Sequence, residues 1–272
     1  MPQMVAAMHL PPNETIGLAQ DSLAEILVEK DHERGYFVIR HPAIAEFVVD
    51  DVAPREVLAE AFVAFLKTIS FSLPPPGPDR RWSRAFRVYR NTINHKKLGA
   101  LFPGRVDLVR DIYERIKGFY ADEGHYWLQY GSYELVCEDA LDAAENYINQ
   151  SAALMPNSIQ VATATGHLLL KKSLVAQTLA AAEALMLDGV RILRAQMADT
   201  RQIQVHPYHI FGTQMMSYVT TWIADGDQAE KYREIHDELR RSIPVYLRGN
   251  LELQRLLDDI KRAELSTALR RN

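Results

Sequence analysis

Two histidines three residues apart have a spacing that could support chemistry. On a helix, His206 and His209 would place their imidazoles on one face, where they could bind a metal ion. Glu230 and His236 lie further along the chain and could complete a ligand set. Pro207, however, predicts that His206 precedes the helix, and no carboxylate is adjacent to His209 in sequence. We therefore expect no metal, and a helical metalloenzyme built on these histidines is kept as an alternative.

Pairs of neighbouring ionisable residues are the other candidates for acid or base chemistry. They are Glu123 with His125, Asp139 with Asp142, and Asp258 with Asp259. None of these pairs has a nucleophile or a partner base at a diagnostic spacing. Cys137 lies in a predicted turn between helices and has no cationic neighbour in sequence that would make its thiol reactive. The sequence therefore predicts a protein that is not an enzyme and has no cofactor.

The densest charge feature of the sequence spans residues 80–97. It contains seven positive residues and no Asp or Glu, namely Arg80, Arg81, Arg84, Arg87, Arg90, Lys96 and Lys97. On a helix, Arg80, Arg84 and Arg87 would share a face opposite an apolar stripe. That stripe comprises Trp82, Phe86, Tyr89 and Ile93.

Several uses of this basic run stay open at this stage. The arginines could form ion pairs with acidic residues such as Glu56, Glu60, Asp107 or Asp111. They could instead contact a partner protein, bind a small anion, or follow nucleic-acid phosphates while Trp82 or Tyr89 stacks on bases.

Length and composition limit the fold and the partners. The chain has 272 residues, of which 47% are hydrophobic, and only 13 Gly and 13 Pro. With Ala, Leu and Glu recurring at helical spacing, this composition predicts an all-α protein. A net charge of −4 does not favour attraction of the whole molecule to nucleic acid or lipid. The longest apolar stretch, near 180–186, is too short for a membrane span, and the single cysteine fits a reducing, cytoplasmic setting.

A proline-rich segment at 71–78 predicts a linker, because successive prolines remove amide donors and favour an extended path. Before it, the pattern predicts a helix over 15–30, a strand over 35–40, a short helix after Pro42 and a helix over 54–69. After it, helix follows helix. We therefore divide the chain into a unit at 1–70, a linker at 71–78 and a helical array at 79–272.

Residues 125–157 resemble a tetratricopeptide repeat. They contain a Trp127-Leu128 pair and Gly131 in the first helix, Ala144 where two helices would cross, and Pro156 at the end. Two further helical pairs are predicted, at 160–172 with 177–197 and at 209–224 with 228–243. The second pair would be joined by a turn at 226–227, and a last helix at 251–265 resembles a cap.

This resemblance implies an α-helical solenoid whose concave surface binds a protein or peptide. Trp127 and Gln129 would then be among the ligand-binding residues, together with the arginines of the basic run.

Residues 36–46 carry a second resemblance. The sequence Tyr-Phe-Val-Ile-Arg-His-Pro-Ala-Ile-Ala-Glu is similar to the winged-helix region that follows the nucleotide-binding module of STAND-type signalling NTPases. There a strand ends in Arg-His and enters a helix that begins Ile-Ala-Glu. In bacterial antiviral proteins of that class, a Trp-Leu-Gln phrase opens a helical repeat, which corresponds to residues 127–129 here. In domain order, the resemblance covers residues 15–260.

The STAND-type resemblance implies that His41 senses nucleotide in a full-length protein. This sequence departs from the class because it has no Gly-x-x-x-x-Gly-Lys-Ser/Thr loop, so we do not expect it to hydrolyse ATP. It would be the recognition part of such a sensor or a stand-alone relative. We therefore predict a recognition or sensor protein that binds a protein or peptide ligand, with a homo-oligomer left open and no membrane partner. The alternative is a nucleic-acid-binding regulator that uses residues 80–97.

Overall fold

Apart from one short hairpin, the described secondary structure is helical. The computed structural model describes residues 28–31, 36–39, 53–199 and 204–269. Strands β1 (Val28–Asp31) and β2 (Tyr36–Ile39) pair antiparallel, with Val28 opposite Ile39. The prediction of an all-α protein is thus confirmed at the level of helical content. No helix within the described ranges is both long and apolar enough to cross a membrane.

Eleven α-helices lie in the described ranges. They are α1 (Arg55–Ser70), α2 (Arg84–Thr92), α3 (His95–Leu101), α4 (Val106–Tyr120), α5 (Gly124–Val136), α6 (Leu141–Leu154), α7 (Ile159–Leu174), α8 (Leu179–Ala198), α9 (His206–Trp222), α10 (Asp225–Ser242) and α11 (Leu251–Leu269). Short 3₁₀ turns at Pro78–Trp82 and Val245–Leu247 precede α2 and α11.

The hairpin agrees with part of what the sequence predicts for residues 1–70. Strand β2 lies where the sequence predicts a strand. The helix predicted over 15–30 is wrong at its end, because residues 28–31 pair with β2 instead of continuing a helix. The rest of that helix, His41 and the short helix predicted after Pro42 lie outside the described residues.

Residues 1–133 and 134–272 form two compact units. In the first unit, α1 packs against α4 and buries Phe62 and Leu66. The Tyr120 hydroxyl at the end of α4 donates a hydrogen bond to the Leu66 carbonyl. The proline-rich segment between these helices therefore lies inside the first unit, because its prolines end α1 without separating α1 from α4.

Stacked tyrosines fill the rest of the core of the first unit. The rings of Tyr113 and Tyr130 stack with centroids 4.6 Å apart, and those of Tyr89 and Tyr120 stack at 4.7 Å. Backbone carbonyls accept hydrogen bonds from the Tyr113 and Tyr120 hydroxyls, whereas the buried Tyr89 hydroxyl has no hydrogen-bond partner among the described residues. The Tyr113 hydroxyl donates to the Ile93 carbonyl at 2.8 Å. This bond attaches α4 to the end of α2.

In the second unit, helices that are consecutive in sequence pack against each other. Each of the helices α6 to α10 packs against the next one along the chain, and α7 also contacts α9, as α9 contacts α11. Arg194 on α8 makes a two-pronged ion pair with Glu238 on α10, at 2.6 and 2.8 Å. The structure differs from the turn predicted at 226–227. The turn falls at Ile223–Ala224, and residues 226 and 227 lie in α10. Asp225 and Asp227 occupy the first turn of α10, where the helix dipole favours acidic side chains.

Two glycines allow α7 and α8 to approach closely. A Cβ atom on Gly189 would lie 3.0 Å from the Gly166 carbonyl oxygen and 2.9 Å from Leu170 Cγ. A Cβ atom on Gly166 would lie 2.9 Å from Leu193 Cγ. At these distances the neighbouring atoms must move, and one of them belongs to the backbone. The crossing of α7 and α8 therefore requires a residue without a side chain on both helices.

We expect Gly189→Ala to lower the free energy of unfolding of the second unit by about 1–3 kcal/mol, because an added methyl group overpacks this crossing. Gly118→Ala is the matched control. Gly118 is an exposed helical glycine with no heavy atom within 4 Å of its added Cβ. Alanine should raise stability there by about 0.5–1 kcal/mol through helix propensity alone. Urea unfolding followed by circular dichroism compares the two variants, and shifts in the same direction would contradict the close-crossing argument.

Candidate functional site

Six of the seven positive residues at 80–97 form one exposed set, here called the basic face: Arg81, Arg84, Arg87, Arg90, Lys96 and Lys97. Three of them lie on α2 at a spacing of three residues, about 4.5 Å apart along the helix axis. The Ser83 side chain caps α2 by accepting a hydrogen bond from the Phe86 amide. Asn94 caps α3 in the same way, accepting from the Lys97 amide at 3.2 Å. Both caps fix the ends of the helices that carry these charges.

Arg80 differs from the other positive residues. It lies in the 3₁₀ turn before α2, and its side chain turns inward to an ion pair with Glu123, in which the two side chains are only 12% and 10% exposed. The prediction that Arg80 shares an open helical face with Arg84 and Arg87 is therefore wrong. The reason is that α2 starts only at Arg84, after the Ser83 cap.

The acidic residues suggested as partners of the basic run are occupied by other arginines. Arg105 pairs with Glu56 at 2.6 Å, and Arg115 pairs with Glu60 at 2.5 Å. The same two arginines also bind Asp107 and Asp111. These hydrogen bonds lower the pKa of Glu56 and of Glu60. Across the part of the chain that the structure describes, no residue of the basic face forms an ion pair with a carboxylate.

Trp82 lies beside the basic face. Its side chain is 67% exposed, and the Arg81 guanidinium carbon lies 4.9 Å from its ring. The predicted apolar stripe is therefore corrected at one end, because Phe86, Tyr89 and Ile93 are buried and Trp82 is not. Trp82 precedes the Ser83 cap, so the α2 periodicity does not extend to it. The indole is left in water next to the arginines.

A buried polar cluster lies behind the basic face. The Phe86 ring has the Arg80 guanidinium 4.4 Å from its centroid, the Arg90 guanidinium at 5.9 Å and the His125 ring at 5.4 Å. Burial lowers the pKa of His125 to about 4, with further contributions from Arg90 and Arg80. Burial also raises the pKa of Tyr89 well above its usual value. This cluster holds Arg80 and the 3₁₀ turn against α5.

Trp127 and Gln129 contribute to the packing of the first unit. Trp127 is only 4% exposed, and its indole N–H donates to the Ala121 carbonyl at 2.7 Å. The Gln129 side-chain oxygen accepts a hydrogen bond from the His95 amide at 3.1 Å. Trp127 is buried and Gln129 is partly buried, and their role in ligand contact stays a prediction. Both residues are engaged because α5 packs inside the first unit.

The second unit contains a groove between α9 and α11 with a volume of about 650 Å³. Its lining residues are His209, Thr213, Met216, Ser217 and Thr220 from α9, with Leu251, Glu252, Arg255, Leu256 and Asp259 from α11. Sequence reasoning did not identify this groove. The sequence does contain hydroxyl residues at 213, 217 and 220, which share one face of a helix and indicate a polar surface there.

The residues considered as metal ligands do not gather into one site among the described residues. His209 lies 3.5 Å from Glu252, whereas Glu230 and His236 lie on α10, with His236 next to Asp237. Among the residues placed by the structure, no three His, Cys, Asp or Glu side chains are grouped as a metal site. Helix α9 begins at His206, because Pro207 fits the first turn of a helix. Cys137 is exposed in the loop between α5 and α6.

Comparison with known proteins finds no relative. No protein-family model, curated protein or solved structure matches the chain. Two surfaces thus carry the functional inference: the basic face in the first unit and the α9–α11 groove in the second.

Proposed function

We propose that this chain is a non-catalytic recognition protein that binds a protein or peptide ligand in the α9–α11 groove. The observation that carries the proposal is the position of the groove between α9 and α11. In tetratricopeptide-like solenoids, the first helices of successive pairs line the concave surface. Helices α7, α9 and α11 contact one another in that order, which supports assigning them this role.

The groove has the dimensions and chemistry that a short peptide requires. From His209 to Thr220 its wall on α9 rises about 16 Å, the length of about five extended residues. Met216 and Leu256 supply apolar contact, and the hydroxyls of Thr213 and Ser217 can accept hydrogen bonds from peptide amides. Arg255 forms no ion pair with any described residue, so its guanidinium is available to a ligand carboxylate or carbonyl.

The test starts from peptides selected against the purified chain from a random displayed library. Calorimetry then compares the affinity of a selected peptide for the unmodified chain, for Arg255→Glu and for Arg191→Glu. Arg255→Glu should weaken binding at least about tenfold, because hydrogen bonds to charged groups contribute about 1.5–3 kcal/mol. Arg191 is an exposed arginine on α8 whose one ion pair among the described residues is with Asp188, so its reversal should change the affinity by less than about twofold. Equal affinities for both variants would overturn the groove assignment.

The likeness at residues 36–46 and 127–129 extends the proposal to a biological setting. There the chain is the sensor region of a cytoplasmic bacterial antiviral STAND-type protein, with a winged-helix unit ahead of the helical array. The position of β2 within the strand of that likeness supports the setting. In it, ligand binding in the groove promotes oligomerisation.

A further inference from the structure

We propose that the basic face binds single-stranded nucleic acid, with its arginines and lysines on the phosphates and Trp82 stacked on a base. This inference concerns the first unit and is independent of the peptide groove. It rests on two observations, which are the unpaired charges of the face and the exposed indole beside them.

The charges of the basic face stand apart from those of many other surface arginines. Arginines elsewhere in the described chain pair with carboxylates, among them Arg105, Arg115, Arg191, Arg194, Arg233 and Arg262. On the basic face, six cations are exposed together and none has such a partner among the described residues. Arg84, Arg87 and Arg90 recur every three residues on α2, so their charges repel one another, and an incoming polyanion relieves that repulsion while releasing its own counterions.

Trp82 favours a single strand over other polyanions. An indole that is 67% exposed offers a flat stacking surface, and the Arg81 guanidinium over the ring, 4.9 Å from its centroid, places a positive charge beside that surface. The bases of a single strand can stack on an aromatic side chain, whereas duplex bases are already stacked on each other. An acidic polypeptide would use the charges but has no need of the indole face.

The face is held in place before any ligand arrives. The buried Arg80–Glu123 ion pair anchors the turn that carries Arg81 and Trp82. The Ser83 cap sets the start of α2, which carries Arg84, Arg87 and Arg90. A ligand therefore meets side chains on a fixed backbone, which lowers the ordering cost of binding.

Fluorescence anisotropy with labelled mixed-sequence single strands of DNA and RNA, about 20 nucleotides long, tests the proposal. We expect binding whose affinity falls with salt, with a log–log slope of about −3 to −4 if five phosphates are neutralised. Arg84→Glu/Arg87→Glu should weaken binding at least about tenfold. Trp82→Ala should weaken it about 5- to 100-fold through lost stacking. All three residues are exposed, so melting of these variants should be unchanged.

The control is Arg191→Glu/Arg240→Glu, which changes the net charge equally but lies in the second unit. It should retain the affinity of the unmodified chain. Polyglutamate serves as the competing acidic polypeptide. Three results would overturn the proposal: no binding to either strand, an equal loss in the control, or displacement by polyglutamate with no effect of Trp82→Ala.

Discussion

Glu123→Gln is expected to lower the free energy of unfolding of the first unit by about 3–5 kcal/mol, the usual cost of removing one partner of a buried ion pair. Arg80 would keep its charge in a site where its side chain is 12% exposed. The guanidinium there faces the Phe86 ring, and the Nε atom of Arg80 is buried without a hydrogen-bond partner among the described residues. Glu123 also accepts a hydrogen bond from the His125 amide at 3.3 Å, and because the glutamine oxygen can still accept that bond, the substitution removes mainly the charge.

A double-mutant cycle separates the ion pair from local packing. Arg80→Met removes the charge but keeps an apolar stem, and the double variant Arg80→Met/Glu123→Gln should recover part of the loss. Urea unfolding followed by tryptophan fluorescence in a Trp222→Phe background reports on the first unit, mainly through the buried Trp127. Glu60→Gln is the control, because its ion pair with Arg115 is at the surface and exposed ion pairs contribute little to stability. A loss from Glu123→Gln no larger than that of Glu60→Gln would contradict the buried pair.

Acidification to about pH 4 is expected to destabilise the first unit by about 3 kcal/mol through His125 alone. In the folded chain the pKa of His125 is lowered to about 4, by burial and then by Arg90 and Arg80. In the unfolded chain it returns to about 6.5. Between about pH 4 and pH 6.5, His125 therefore binds a proton in the unfolded state but not in the folded state. The stabilisation is complete at neutral pH, begins to fall near pH 6.5 and is lost by about pH 4.

His125→Gln isolates this contribution. Unfolding free energies measured at several pH values between neutral and about pH 4 should fall less steeply in the variant than in the unmodified chain. Carboxylates such as Glu56 and Glu60 also lose stabilisation in acid, but they do so equally in both proteins. Burial lowers the pKa of His95 as well, and that residue is unchanged in the variant. Parallel pH profiles would show that His125 does not carry the dependence.

The helices were predictable because their apolar residues repeat with the helical period. The prediction of a helix over 54–69 matches α1, and the buried Leu58, Phe62 and Leu66 follow that period. Helix α4 shows the same period, because Val109, Ile112 and Ile116 recur at helical spacing and all three are buried. Local patterns determine such elements, so sequence reasoning finds them.

The candidate sites depend on contacts that local patterns do not encode. Arg80 and Glu123 are far apart in sequence, so nothing near Arg80 shows that it turns inward while Arg84 does not. The groove requires α9 to contact α11, although α10 separates them in sequence. Helical periodicity does not specify such a long-range contact. The spacing of Trp82 fits the predicted apolar stripe, but a 3₁₀ turn and the Ser83 cap separate this residue from α2.

The packing of α1 on α4 determines where this protein could be shortened. A chain that starts after the proline-rich segment would lose Phe62 and Leu66 from the core and leave the Tyr120 hydroxyl without its carbonyl acceptor. It would also leave Arg105 and Arg115 without Glu56 and Glu60. An autonomous helical fragment of the first unit must therefore keep Pro54 and everything after it, although the prolines suggest a later starting point.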